Sequence, residues 1–289
     1  SVKSRGLGDV YKRQILTQTL EQAKGTIDGV TCGAGMPYKL SEIAASFKVF
    51  YYPIVSSARA FNALWKRSYR KTADFLGGVV YEDPWLAGGH NGLSNSEDPL
   101  KPEAPYPRVL ELRKLMNEFN LDHIPIIMAG GVWNLKEWED WIDNKELGLI
   151  GFQFGTRPLL TKESPIPEDW KKKLLTIKPG DVSLHRFSPT GFYSSAFRND
   201  FLKELESRSE RQTPYLREKT NEFNEKLEIG PRKRAYYVKH SDKSKIEKWI
   251  RNGFLKPLTT PNETLIWVSL KKASQIVKDQ IDCMGCLSS

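Results

Sequence analysis

The residue types and spacings in this 289-residue chain that could support chemistry lie between Gly88 and Thr156. Ala129-Gly130-Gly131 and Phe154-Gly155-Thr156 each close an apolar run, about one strand–helix unit apart. Glycine leaves backbone amides accessible, so two such turns at the ends of neighbouring strands, each with a helix start behind it and with the Thr156 hydroxyl at hand, would surround an anion with donors. Eight-stranded α/β barrels hold phosphate in this way, at the loops after strands seven and eight. Either turn alone reads first as an ordinary strand terminator; the two together point to a phosphate-bearing ligand.

His90 follows Gly88-Gly89 at the end of another apolar run. With no side chains beside it, a flat ligand could approach the backbone closely, and an imidazole of pKa near ~6.5 can accept a proton at neutral pH. His123, His185 and His240 have no such setting and read as surface or structural residues. Glu82 and Asp83 offer carboxylates, but nothing sets two of them at acid–base spacing. Cys283-Met284-Gly285-Cys286 has CxxC spacing without a second pair, so no metal site is assigned. Cys32 reads as a small buried hydrophobe.

The elements that must position these residues alternate between strand-like and helix-like blocks, the pattern of βα units with parallel strands and ligand loops at their C-terminal ends. Strands are expected over Thr26–Cys32, Phe47–Val55, Phe75–Tyr81, Ile124–Met128 and Gly148–Phe154. Helices are expected from Ser41, from a Ser56-Ser57 cap through Arg70, over Arg108–Asn120, and from an Asn134 cap through Asp143. Pro53 is awkward for a central strand. The polar loop from Gly92 to Pro107 is long enough to suggest a cover over the site. Beyond Leu160 the text turns to charged amphipathic helices, expected over Lys171–Leu175, Asn199–Arg208, Pro214–Leu227 and Ser241–Asn252. Two short strands, Arg234–Val238 and Thr264–Val268, are expected among them as a small pair.

Charge is segregated. Residues 15–160 hold 15 Lys and Arg against 17 Asp and Glu, whereas residues 161–289 hold 25 against 17. The overall +9 therefore lies away from the glycine turns and reads as a solvated basic surface, not a nucleic-acid site. No apolar run approaches the ~20 residues of a membrane span. Three cysteines and the absence of a secretory pattern imply a reduced, cytoplasmic setting. Residues 1–14 follow no structural period and read as translated sequencing-adapter text.

Ala87-Gly88-Gly89-His90-Asn91-Gly92, Ile126-Ile127-Met128-Ala129-Gly130-Gly131-Val132, Gly151-Phe152-Gln153-Phe154-Gly155-Thr156-Arg157-Pro158-Leu159 and Thr161-Lys162-Glu163-Ser164, followed by Ser188-Pro189-Thr190-Gly191 and Arg198-Asn199, together resemble the nitronate monooxygenase family, formerly called 2-nitropropane dioxygenases. The resemblance runs from about Thr26 to Leu202. It implies an α/β fold, a TIM (β/α)8 barrel binding FMN, of which the five units here would be strands four to eight, with strands one to three absent. Residues 15–165 would be the C-terminal part of that barrel, and 166–289 a mostly helical appendage partly returning to it.

The same resemblance makes His90 the catalytic base, places Gly88 and Gly89 against the flavin, and assigns Ala129, Gly130, Gly131, Gln153, Gly155 and Thr156 to cofactor binding. The activity implied is oxidation of an alkyl nitronate by molecular oxygen to a carbonyl compound and nitrite, with a small-molecule substrate and oxygen as partners. Where family members can place a lysine near the flavin, this chain has Tyr51-Tyr52-Pro53-Ile54. Two alternatives remain open on the sequence: an FMN-dependent enoyl-acyl-carrier-protein reductase or other NAD(P)H:flavin oxidoreductase of the same fold, and a non-catalytic phosphate- or nucleic-acid-binding protein.

Overall fold

Five short apolar runs ending in small residues become five parallel strands in the computed structural model of the chain. It describes residues 13–33, 36–90, 92–94, 96–186, 193–230, 232–260 and 263–282, without the side chains of His90 and of residues 279–282. The strands are β1 (Gly29–Cys32), β2 (Phe50–Val55), β3 (Val79–Glu82) and, after the short β4 (Gly89–His90) that stands apart, β5 (Ile126–Ala129) and β6 (Ile150–Gln153). They pair in chain order, β1-β2-β3-β5-β6, with every neighbour parallel. All five expected strands are present, with ends displaced by up to four residues.

One displacement has a clear cause. Proline cannot donate to a ladder, and the β2–β3 pairing begins only after Pro53, at Ile54 opposite Val80. Upstream the two segments meet through a single bridge, Tyr51 to Leu76, and the Gly77 amide donates to the Tyr51 carbonyl at 3.1 Å. The ring of Tyr52 fills the gap. A Cβ on Gly77 would lie 2.4 Å from Tyr52 Cζ, one on Gly78 3.1 Å from Cδ1, and one on Gly29 2.7 Å from Cε2. Three glycines from two segments thus form a slot for one ring, and β3 starts at Val79 rather than Phe75.

Helices pack on one face of the sheet. They are α1 (residues 13–22), α2 (Leu40–Ser46), α3 (Ala58–Arg67) and α4 (Pro105–Glu118). Because strand side chains alternate between faces, Tyr51, Val55, Val79, Tyr81, Ile126 and Met128 share the face that joins Ala44, Phe61, Leu64, Leu112 and Met116 in one core. The serine cap is as expected: Ser57 Oγ accepts from the Ala60 amide at 3.2 Å. The opposite face is half open, with Phe50 47% exposed and Tyr52, Ile54 and Ile127 half-buried. Parallel sheets are ordinarily covered on both sides.

At the N-terminal ends of β5 and β6 sits a buried guanidinium. Arg113 of α4, 2% exposed, donates to the carbonyls of Leu147 (2.6 Å), Leu149 (2.8 Å) and Ile124 (3.0 Å). Desolvation holds its pKa below the ordinary value. Its hydrogen bonds go to carbonyl dipoles, and Asp122 opposes the desolvation only in part.

The expected helix after Asn134 is instead a 3-10 segment, Leu135–Trp141, broken at Trp138. Its two tryptophans are three residues apart, the spacing that a 3-10 turn stacks on one side, and both are buried, with ring centroids 4.8 Å apart. The segment after Thr156 is also 3-10, Arg157–Leu160.

Later elements mix helices and strands. Residues up to Ala196 belong to one compact unit and those from Phe197 to a second. The first also holds α5 (Glu168–Leu175), β7 (Val182–His185) and most of β8 (Ser194–Phe197). In the second are α6 (Asp200–Ser209), β9 (Gln212–Pro214), β10 (Phe223–Ile229), β11 (Arg234–Lys239), α7 (Lys243–Arg251), β12 (Lys256–Thr259), β13 (Thr264–Val268) and α8 (Leu270–Asp282). Three expectations are corrected here. Pro214–Leu227 is not a helix: β10 pairs antiparallel with β11, and its residues alternate between half-buried and exposed along its length. The two expected strands are not partners either, since β11 pairs with β10, and β13 lies between β12 and β9. With seven strands among its elements, the region after residue 165 is not mostly helical. Among the described residues no helix is long and apolar enough to cross a membrane.

Candidate active site

The C-terminal ends of β3, β5 and β6 carry three turns side by side. Asp83, fully buried, closes the first. Its Oδ1 accepts from the amides of Trp85 and Leu86, each at 2.9 Å, and its carbonyl accepts from the Ala87 amide at 2.9 Å. This side chain mimics a backbone turn. Burial pushes its carboxyl above the usual carboxylate range, against the pull of those two amides and of Arg108. Burial raises the neighbouring Glu82 as well.

The turn after β5 packs directly on the first. Gly130 and Gly131 have φ of +95° and +73°, a region that β-carbons disfavour. A Cβ on Gly130 would come within 2.9 Å of the Ala87 nitrogen, and one on Gly131 within 2.9 Å of Leu86 Cδ1. Gly130 is therefore required by conformation and by a backbone contact, and Gly131 by conformation. Ala129 stands beside Gln153 in the β5–β6 register, so the third turn, Gly155-Thr156, adjoins the second. Gln153, Gly155 and Thr156 are exposed, and a Cβ at Gly155 would meet nothing within 4 Å. Among the described residues, no hydrogen bond engages the amides of Gly130, Gly131, Gly155 or Thr156.

Arg157 joins the two glycine turns and was not singled out by sequence. Its Nη1 donates to the Trp133 carbonyl at 2.9 Å, and its Cζ lies 5.7 Å from the centre of the Phe154 ring. The donor set is thus four amides, one hydroxyl and one guanidinium, which suits a phosphate. Helix dipoles add little, because both following segments are short 3-10 turns.

Gly88-Gly89-His90 leaves the first turn as β4. Gly89, at φ +66°, pairs with Ser195 of β8 and His90 with Ser194. The His90 backbone is therefore held by a strand from more than 100 residues later, while its side chain lies outside the described residues. Space is open around Gly88 and Gly89, where an added Cβ would meet nothing within 4 Å. Ser188-Pro189-Thr190-Gly191 and Cys283–Cys286 also lie outside the described residues.

The loop from Gly92 to Pro107 is tied down by Arg108, a second arginine without a local sequence signal. It reaches Glu97 and Glu103 at 2.8 Å each, Tyr81 Oη at 2.9 Å and the Ser56 carbonyl at 2.9 Å. Its Cζ lies 5.1 Å from the Trp85 ring centre, and the Trp85 indole donates to the Asp98 carbonyl at 3.2 Å. Burial raises Glu97, but the Ser94 amide and Arg108 outweigh it and hold the carboxyl below its usual range.

The chain matches the family model described as nitronate monooxygenase over residues 8–284. Among solved structures, FabK from Thermotoga maritima superposes with a TM-score of 0.52 at 20% identity, covering 67% of this chain and 53% of that one. Nitroalkane oxidase from Streptomyces ansochromogenes gives 0.49 at 21%, covering 65% and 49%. At 20% identity the likeness to FabK speaks for an α/β fold with a parallel sheet. The chain spans about half the length of these structures. No curated protein sequence matches it. Since the family match runs through all three turns and nearly end to end, the chain belongs to the nitronate monooxygenase family.

Proposed function

We propose that the protein binds FMN at the turns after β3, β5 and β6 and oxidises alkyl nitronates with molecular oxygen to a carbonyl compound and nitrite. The observation that supports this best is the adjacency of Gly130-Gly131 and Gly155-Thr156 at the ends of paired strands, with Arg157 between them. In this reading the four amides and the Thr156 hydroxyl hold the cofactor phosphate, Arg157 opposes its charge, and Ala129 and Gln153 flank it. Gly88 and Gly89 leave room for the flat ring. When bound, FMN supplies the electron-accepting chemistry. His90, with its backbone clamped to β8, takes the proton from a neutral nitroalkane or positions the nitronate anion. The five strands would be strands four to eight of a barrel; the half-open face carrying Tyr52, Ile54 and Ile127 would be its interior. Residues 15–165 would form that part of the barrel and 166–289 the appendage, with β8 the piece that comes back to β4.

The test is flavin binding by the protein that carries this chain, read as quenching of FMN fluorescence, beside Gly131→Val. The variant places a β-branched residue at φ +73° and against Leu86, and FMN affinity should fall at least tenfold with the circular dichroism spectrum retained. Equal affinity, or no flavin binding by the parent, overturns the cradle. Turnover of NAD(P)H without nitrite release would move the assignment to a reductase of the same fold.

A further inference from the structure

The unit that begins at Phe197 contains a cavity of about 440 Å³ lined by four cationic side chains, Arg208, Arg211, Lys271 and Lys272, against one carboxylate, Glu204. Glu204 and Arg208 share a face of α6 at i,i+4 spacing, and α8 supplies the lysines. The carboxylate is already committed: Glu204 Oε1 accepts from Lys272 Nζ at 2.9 Å and from Arg208 Nη2 at 3.2 Å. Lys272 foremost holds its carboxyl below the usual range.

Among the described residues Arg211 forms no direct ion pair and is held by carbonyls and a ring. Its Cζ lies 3.9 Å from the Phe254 ring centre, its Nε donates to the Trp267 carbonyl at 3.2 Å, and its Nη1 to the Ser207 carbonyl at 3.0 Å. Burial, then the neighbouring Arg208, lowers its pKa, although Glu210 and Glu204 oppose this. Arg208 is itself only 9% exposed. Gathering like charges in one concavity is unfavourable, and a bound anion relieves it.

The remaining polar atoms are donors. Ser207 Oγ accepts from Arg211 Nη1 at 3.3 Å and Ser269 Oγ from the Lys272 amide at 3.2 Å, which leaves both hydroxyl protons to be donated. Gln275 Oε1 accepts from Lys272 Nζ at 3.4 Å, which leaves its amide NH2. A single carboxylate would leave much of this charge unmatched. We propose that the groove between α6 and α8 binds a multiply charged phosphate anion of about diphosphate size. The site lies outside the flavin cradle and does not depend on it.

Hydrogen–deuterium exchange of the whole protein with and without inorganic pyrophosphate at low salt locates the binding. Peptides covering residues 200–211 and 269–275 should gain protection that added salt removes. Lys271 is exposed, so Lys271→Glu leaves packing intact and should weaken pyrophosphate binding at least tenfold; Arg211→Gln should abolish it. Lys271→Glu remains decisive if Arg211→Gln fails to fold. No protection in these segments, or unchanged affinity in Lys271→Glu, overturns the proposal.

Discussion

Arg157 donates a 2.9 Å hydrogen bond to the carbonyl of Trp133, across 24 residues of chain, and so ties the turn after β6 to the turn after β5. The bond fixes a cation beside four accessible amides. Two glycine turns on neighbouring strands are thereby held together.

Arg157→Gln should weaken FMN binding roughly ten- to a hundredfold, since a charge-assisted hydrogen bond is worth ~1.5–3 kcal/mol. The side chain is exposed, so stability should change by less than ~0.5 kcal/mol. Fluorescence titration and urea denaturation separate the two effects. Unchanged affinity would leave Arg157 a loop tie and nothing more.

His90→Asn should retain FMN with an unaltered absorbance spectrum and lose about 10²–10⁴ in turnover of a neutral nitroalkane, the usual span for a positioned acid–base group. Preformed nitronate should be less affected, because its proton is already gone. Nitrite release with the two substrates measures this; equal losses on both would argue for anion positioning instead.

Asp83→Asn should raise the melting temperature at neutral pH. Its folded pKa lies above the unfolded reference of 3.8, so stability is greatest below that value and declines as pH rises through the folded pKa. Asparagine keeps an oxygen for the Trp85 and Leu86 amides and carries no buried charge. Thermal melts as a function of pH should show the advantage vanishing below 3.8; an advantage independent of pH would refute this origin.

Arg113→Met should destabilise the protein by about 3 kcal/mol, because it orphans several buried carbonyls at ~1–3 kcal/mol each. These carbonyls precede β5 and β6, at the opposite ends of the strands from the glycine turns. FMN affinity of the folded fraction should therefore stay near that of the parent, as titration below the melting point would show.

The sheet was legible because its signals are local. Apolar runs stop at small residues, Ser57 caps α3, and strand order follows chain order. Signals that misled were ambiguous in period: Phe223 and Leu227 are four apart, as on a helix face, yet Phe223, Leu227 and Ile229 also fit alternate strand positions, and pairing with β11 decides for the strand. The turns at Gly130-Gly131 and Gly155-Thr156 stood out because both follow apolar runs about one strand–helix unit apart. Arg108, Arg113 and Arg157 did not, since their partners are carbonyls, a tyrosine and carboxylates brought together only by the fold.

The slot that receives Tyr52 couples the substitutions that three positions can accept. Gly29, Gly77 and Gly78 are small because a single ring occupies the space that their side chains would take. A larger residue at Gly77 becomes tolerable only once position 52 has shrunk, and a shrunken position 52 leaves three glycines with nothing to accommodate. Mutational tolerance at these sites should therefore be contingent on order: changing the tyrosine first relieves the overlaps at Gly29 and Gly77, and changing either of those glycines first forces the ring to move.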